Sequence, residues 1–260
     1  MHRLALLDEI TAVYYTRTHS RQTWHAERMK AKQLLQELVN VVAPTACAGC
    51  RKWDTPLCAE CRQLARTTAE AGIIDDPKAP MRSVTLGRYA GSLRNLILAA
   101  KHDTSRDLSD WLWDAGYALG AGWLEHRSIV DVPTGNKPIH VVPAPSQWTR
   151  AWRGMLITPT IADGVAQALR SAEVPACVVP ALHQKWGSSQ AGLSGDQRRQ
   201  GRGESISALI NVEGANCVLV DDVITTGATM LAGRDALEAA GGNCFVALSL
   251  AVVHNENSHK

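Results

Sequence analysis

The sequence predicts an α/β protein, a mostly parallel sheet flanked by helices, with a small cysteine-rich element ahead of it. Three observations carry this expectation. From residue 139 onward, short apolar stretches alternate with helix-patterned ones. Those stretches are apolar at nearly every position rather than at every second one, as in strands buried on both faces. Four of the seven cysteines crowd between residues 47 and 61.

The chain has 260 residues, 45% hydrophobic and 20% charged, enough for one well-cored domain and a smaller appendage. A net charge of +2 selects neither nucleic acid nor a membrane surface, because polyanion binding depends on clustered charge. The apolar runs are too short to span a bilayer, and no secretory apolar region precedes Ala46–Cys50. A cytoplasmic location is therefore expected.

Taken in order, residues 1–28 match no pattern and read as an extension dispensable for folding. From Met29, MKAKQLLQELVNVV puts Leu34, Leu35, Leu38, Val41 and Val42 on one helical face, and Pro44 stops the helix. Residues 29–66 thus read as a helix plus the cysteine element. The stretch 67–82 is polar, holds Pro77 and Pro80, and reads as a linker to a main domain over 83–253. Residues 254–260 read as a tail.

Within 83–253, Ser92–Lys101 has the spacing of an amphipathic helix. A second helix is expected over Leu108–Leu124, with Trp111, Leu112, Ala115 and Leu119 inward. Gly135–Lys137 reads as a turn, and Ile139–Val142 as a buried strand ending at Pro143. Then follow a helix over Thr158–Ser171, a strand over Ala176–Pro180, and a polar, glycine-rich, basic stretch over His183–Gly203. A strand over Cys217–Val220, a helix over Thr229–Ala240 closed by Gly241-Gly242, and a strand over Phe245–Val253 complete the chain.

The most informative string is VLVDDVITTGAT, Val218–Thr229. A strand ending at Val220 would put Asp221 and Asp222 at its carboxyl end, the edge where open α/β sheets bind ligands. Adjacent exposed carboxylates repel unless a cation or hydroxyl groups share the space. Thr225, Thr226, Gly227, Ala228 and Thr229 then run straight into a helix, whose first amides and dipole make an anion site. Gly227 removes the Cβ that would keep a phosphate away. An acidic pair beside a phosphate cradle suits a sugar phosphate. A lone TTG would be an ordinary helix cap, and a P-loop is excluded because no GK[ST] follows the glycine.

Two basic stretches accompany it. Arg150 and Arg153 follow the proline-bearing end of the strand at 139–142 and could meet a pyrophosphate, although such loops are often merely solvated. Lys185, Arg198 and Arg199 lie among Gly187, Gly192 and Gly195, a composition suited to a mobile lid over an anion.

Cys47, Cys50, Cys58 and Cys61 form C-x2-C-x7-C-x2-C, two knuckles that together complete a tetrahedral Cys₄ site for structural Zn²⁺. A redox CxxC is the alternative. Cys177, Cys217 and Cys244 sit among apolar neighbours and read as small core residues. No clustered basic face accompanies the cysteines, so direct nucleic-acid binding is not expected.

The string Val218–Thr229 resembles the motif with which type I phosphoribosyltransferases bind 5-phosphoribosyl-1-pyrophosphate (PRPP). With Cys47–Cys61, Tyr89–Lys101, Val142–Gly154 and Gln190–Arg199 in the same order, the chain resembles the ComF family over residues 30–253. The resemblance implies a type I phosphoribosyltransferase fold with an N-terminal zinc ribbon. It implies PRPP and Mg²⁺ as ligands, with Asp221 and Asp222 on the ribose hydroxyls and Thr225–Thr229 on the 5′-phosphate. Lys101 would face the ligand, and Arg150, Arg153, Lys185, Arg198 and Arg199 would stabilise the leaving pyrophosphate. The implied reaction moves 5-phosphoribosyl to a nucleobase or amine nitrogen. A PRPP-binding regulator without turnover, or an adaptor among competence and DNA-uptake proteins, are the alternatives. Met155-Leu156-Ile157, where many members have a polar run, and Gly201, where an asparagine is usual, depart from the family pattern.

Overall fold

A computed structural model describes residues 45–126, 137–145, 157–185 and 205–253. The extension 1–28, the helix expected from Met29 and the tail 254–260 lie outside the described residues. So do Arg150, Arg153, Arg198 and Arg199. By its contacts the chain divides into Met1–Cys47 with Arg51–Pro56, and Ala48–Cys50 with Leu57–Lys260.

In the first unit the described residues make a tight knuckle. Ala46 bridges to Trp53, the Cys47 amide donates to the Lys52 carbonyl at 2.7 Å, and the Arg51 amide to the Cys47 carbonyl at 3.0 Å. Arg51 and Asp54 take up the reversal with φ of 66° and 65°.

The second unit is built on a six-stranded sheet of order β1-β2-β8-β7-β3-β4. The strands are β1 (Glu70–Ile74), β2 (Met81–Thr85), β3 (Ile139–Pro143), β4 (Ala176–Val178), β7 (Asn216–Ile224) and β8 (Asn243–Val252). β1 runs antiparallel to β2, and all other neighbours are parallel. A separate antiparallel pair joins β5 (Leu182–Lys185) to β6 (Ser205–Ala208). This is the mixed α/β architecture, with a mostly parallel sheet, that the alternation of apolar runs predicts.

Five α-helices are described: α1 (Ala59–Gln63), α2 (Gly91–His102), α3 (Ser109–Glu125), α4 (Ile157–Ser171) and α5 (Ala228–Ala239). α4 crosses from β3 to β4 and α5 from β7 to β8, each joining parallel neighbours. Cys217 and Leu219 of β7 pack in one core with Met230 and Leu237 of α5. Val218 and Val220 point to the opposite face by strand alternation and are equally hidden. The strand is covered on both sides, which is why its sequence shows no polar alternation.

α3 and α4 approach closely at glycines. A Cβ on Gly116 would run into the Ile161 carbonyl, and one on Gly164 into the Trp113 carbonyl. The inward residues expected for α3, Trp111, Leu112, Ala115 and Leu119, are all buried.

The stretch 67–82, read as a linker, instead contains β1 and the first residues of β2. Pro77 and Pro80 lie in the turn between them. β1 is an edge strand with four of its five residues exposed, so it carries none of the apolar signal of a buried strand.

Candidate functional site

β7 occupies an inner position between β8 and β3, and it runs farther than its apolar residues suggest. Pairing continues from Asn216 to Ile224, with Asp221 opposite Ser249, so both acids lie within the strand and not beyond its end. Strand alternation sends their side chains to opposite faces, which separates the two charges. The Asp222 amide donates to Asp221 Oδ1 at 2.8 Å. Asp221 is half-buried and Asp222 is buried.

A buried carboxylate requires a partner. Lys101, one residue short of the end of α2, brings Nζ to 2.7 Å from Asp222 Oδ2. α2 holds the lysine there because Leu93, Leu96 and Ile97 anchor its apolar face. The pair of exposed, mutually repelling acids read from the sequence is therefore replaced by one half-buried acid and one ion pair.

Beyond β7 the chain surfaces. Thr225, Thr226, Ala228 and Thr229 are exposed, while Gly227 between them is buried. Gly227 is the N-cap of α5, with φ 78° and ψ −4°, and it offers no side chain to the first amides of the helix. No acidic residue stands in the first turn. Helix-start amides lack intrahelical partners, so the open threonine turn presents donors and a positive dipole end to solvent. The Ala228 amide has a long contact with Thr226 Oγ1, 3.4 Å.

Gly227 is required twice over. Its φ lies in the left-handed region, and a Cβ there would collide with Ile74 at the end of β1. The turn after Ile74 is tied to α5 by Arg234. Its guanidinium donates to Asp76 Oδ2 at 2.5 Å, to the Ala79 carbonyl at 2.6 Å and to Asp235 Oδ1 at 2.8 Å. The guanidinium beside Asp76 holds that carboxyl below its ordinary pKa, and Arg234 with Lys78 does the same for Asp235. Neither Ile74 nor Arg234 was marked by the sequence. Nothing in local spacing connects a polar segment near residue 76 with a helix near 234.

The end of β3 lies beside the motif, the Ala144 amide donating to the Val220 carbonyl at 2.7 Å. Arg150 and Arg153 follow in the sequence and lie outside the described residues. Lys185 closes β5 opposite Ser205, at the base of the stretch carrying Arg198 and Arg199. A cavity of about 580 Å³ opens between residues 66–69 and α3, lined by Arg66, Trp113 and Tyr117 among others, and no residue of the motif lines it.

The sulfurs of Cys47, Cys50, Cys58 and Cys61 all lie within 4.8 Å of one another, Cys50 and Cys58 at 3.6 Å. Four thiolates around a tetrahedral Zn²⁺ at about 2.3 Å would stand about 3.8 Å apart. The donor set thus fits a metal ion and is too open for a disulfide at Cys50–Cys58. Cys61 is fixed through its carbonyl, which accepts from Trp111 Nε1 at 3.2 Å. The other cysteines behave differently. Burial pushes the Cys217 thiol up to about 11 and raises Cys177 and Cys244 as well, so all three stay protonated and pack as apolar groups.

Residues 160–260 match the family described as the phosphoribosyl transferase domain. No curated protein matches the chain. Among solved structures the chain is similar to an allosteric regulatory enzyme of purine biosynthesis, at 23% identity over 51% of this chain and 25% of that one, TM-score 0.32. It is similar to the glutamine PRPP amidotransferase of B. subtilis, at 23% identity over 51% and 25%, TM-score 0.31. It is also similar to the hypoxanthine-guanine phosphoribosyl transferase of L. donovani, at 14% identity over 54% and 67%, TM-score 0.34. The chain spans 25% of the length of the first two.

Proposed function

We propose that this chain binds PRPP, with its Mg²⁺, where β7 runs into α5, and transfers 5-phosphoribosyl to a nitrogen acceptor. The observation that carries the reading is the exposed turn Thr225–Thr229. It opens onto an uncapped helix start directly after two acids, within the segment that matches the phosphoribosyl transferase domain. The turn would hold the 5′-phosphate and Asp221 a ribose hydroxyl. Bond breaking between C1 of the ribose and the pyrophosphate oxygen, with C1–N bond formation, leaves a highly charged leaving group. Arg150, Arg153, Lys185, Arg198 and Arg199 are the residues we assign to stabilising it, because cationic donors aimed at developing charge lower the barrier most. Mg²⁺ enters as part of the substrate, on its pyrophosphate.

The ordered series of motifs leads us to read the chain as a ComF-like member of this group, with zinc on Cys47, Cys50, Cys58 and Cys61 in a structural role. Zinc would fix the two knuckles and supply no chemistry to the transfer. Metal analysis should return one zinc per chain, and Cys58→Ser should abolish it.

The deciding experiment is calorimetry with PRPP and Mg²⁺, together with a screen of nucleobases and amines for pyrophosphate release. Absence of PRPP binding would sink the proposal. Tight binding with no release from any acceptor would replace the enzyme by a PRPP-binding regulator.

A further inference from the structure

The turn Thr225–Thr229 has one buried residue, Gly227, and its neighbour comes from the edge strand β1. A Cβ on Gly227 would run into Ile74 Cγ2, so that methyl group lies directly behind the turn. Ile74 ends β1 and is its one buried residue. The chain then passes through Asp76 and Ala79, where the Arg234 guanidinium donates to Asp76 Oδ2 at 2.5 Å and to the Ala79 carbonyl at 2.6 Å. The N-cap Gly227 and Arg234 are related as i and i+7, so both meet the end of β1 and its turn from one side of α5. We propose that Arg234 is a positioning residue for anion binding: through the β1–β2 turn it seats Ile74 behind Gly227, and so holds Thr225–Thr229 in the shape that receives a phosphate. This rests on the sugar-phosphate reading of the turn and names what sets its affinity.

By its own composition the turn would be loose. Four of its five residues are exposed, and the fifth is a glycine, which loses the most backbone freedom on being ordered. The N-cap offers no side chain to the first amides of α5. An anion that binds a loose turn must first order it, and that entropy is subtracted from the affinity. Gly227 is instead held from two directions. Its carbonyl accepts from the Leu231 amide at 2.9 Å on the helix side, and the Ile74 methyl packs on the other. Ile74 needs fixing in its turn, because β1 is an edge strand paired only to β2 and its other residues are exposed. Arg234 fixes it just beyond the strand end. Its side chain is 7% exposed, and a planar guanidinium with several partners keeps its geometry. Lys78 and Asp235, 3.1 Å apart at the surface, add a weaker second tie.

The test uses the full-length protein and ribose 5-phosphate as the probe, titrated by calorimetry well below the melting temperature of every variant. Amide exchange at Leu231, followed by nuclear magnetic resonance, reads the turn without a ligand. Arg234→Met should weaken ribose 5-phosphate about tenfold and speed exchange at Leu231, and Arg234→Lys should recover part of both. Ile74→Ala should do the same as Arg234→Met. Ile74→Val keeps the methyl group that meets Gly227 and should stay within about twofold of wild type. Because Arg234 acts through Ile74, adding Arg234→Met to Ile74→Ala should cost less than about a further twofold. Additive losses, an equal loss in Ile74→Val and Ile74→Ala, or unchanged affinity in Arg234→Met would each overturn the proposal. So would weakened binding with exchange at Leu231 unchanged. Should Arg234→Met fail to fold, Arg234→Lys takes its place in the same cycle. If wild type bound no ribose 5-phosphate, the sugar-phosphate reading would fall, while the exchange ranking would still decide whether Arg234 and Ile74 hold the turn.

Discussion

Two of the ion pairs among the described residues of the sheet-bearing unit are largely hidden from solvent, and they are built differently. Arg234 spreads a rigid fork over Asp76, Asp235 and the Ala79 carbonyl, with the Arg234 and Asp76 side chains 7% and 11% exposed. Lys101 meets Asp222 through one ammonium contact. A guanidinium with several partners is hard to disengage, because each hydrogen bond keeps the others in register. An ammonium on a flexible stem can change partners when a ligand arrives. Arg234 holds the β1–β2 turn against α5, and Lys101 neutralises the one buried acid of β7.

The largest expected effect comes from breaking the fork. Arg234→Met leaves Asp76 without its guanidinium, and should lower the melting temperature more than any change at Lys101. Arg234→Lys should recover only part of the loss, since an ammonium cannot reproduce the planar geometry. Thermal melts of the three proteins check the ranking.

Next is the acidic pair. Asp221→Asn with Asp222→Asn removes the charge-assisted bond we assign to a ribose hydroxyl, worth about 1.5–3 kcal/mol, so PRPP affinity should fall at least tenfold by calorimetry. Because Asp222 is buried and paired, this variant should also lose some thermal stability, unlike a change at a pair of solvated acids.

A smaller effect is expected at the joint between the two regions. Gly227→Ala puts a side chain at positive φ, costing about 1–2 kcal/mol, and pushes against Ile74. Melting temperature and PRPP affinity should fall together, because the same residue shapes the turn and meets β1.

The smallest effect is in pH. The guanidinium depresses the pKa of Asp76 in the folded chain. The stabilisation is therefore fully present above the unfolded carboxylate value of about 3.9 and is lost as pH falls through the lower folded value. Melting temperature should drop more steeply below about pH 4 in wild type than in Arg234→Met. Parallel slopes would show that the fork contributes no pH-dependent stability.

Much of this protein was legible in its amino-acid order, because the signals were local. β3, α4, α5 and β8 carry their burial in their own periodicity, and the structure places them within a residue or two of expectation. The turn at Thr225–Thr229 was legible for the same reason, since the strand, the glycine and the helix follow one another directly in the sequence. The spacing of Cys47, Cys50, Cys58 and Cys61 likewise brings their sulfurs together over a short stretch. What only the tertiary structure decided depends on residues far apart in the chain. β1 is exposed at four of its five residues on a sheet edge and so writes no pattern into its sequence. Asp221 and Asp222 looked like the end of a strand, yet β7 continues through them, because alternation parts their charges and Lys101 neutralises the buried one. Gly227 read as making room for a phosphate, whereas the neighbour that a Cβ there would meet is part of the chain itself. That neighbour, Ile74 held in place through Arg234, is there only once the β1–β2 turn has packed against α5.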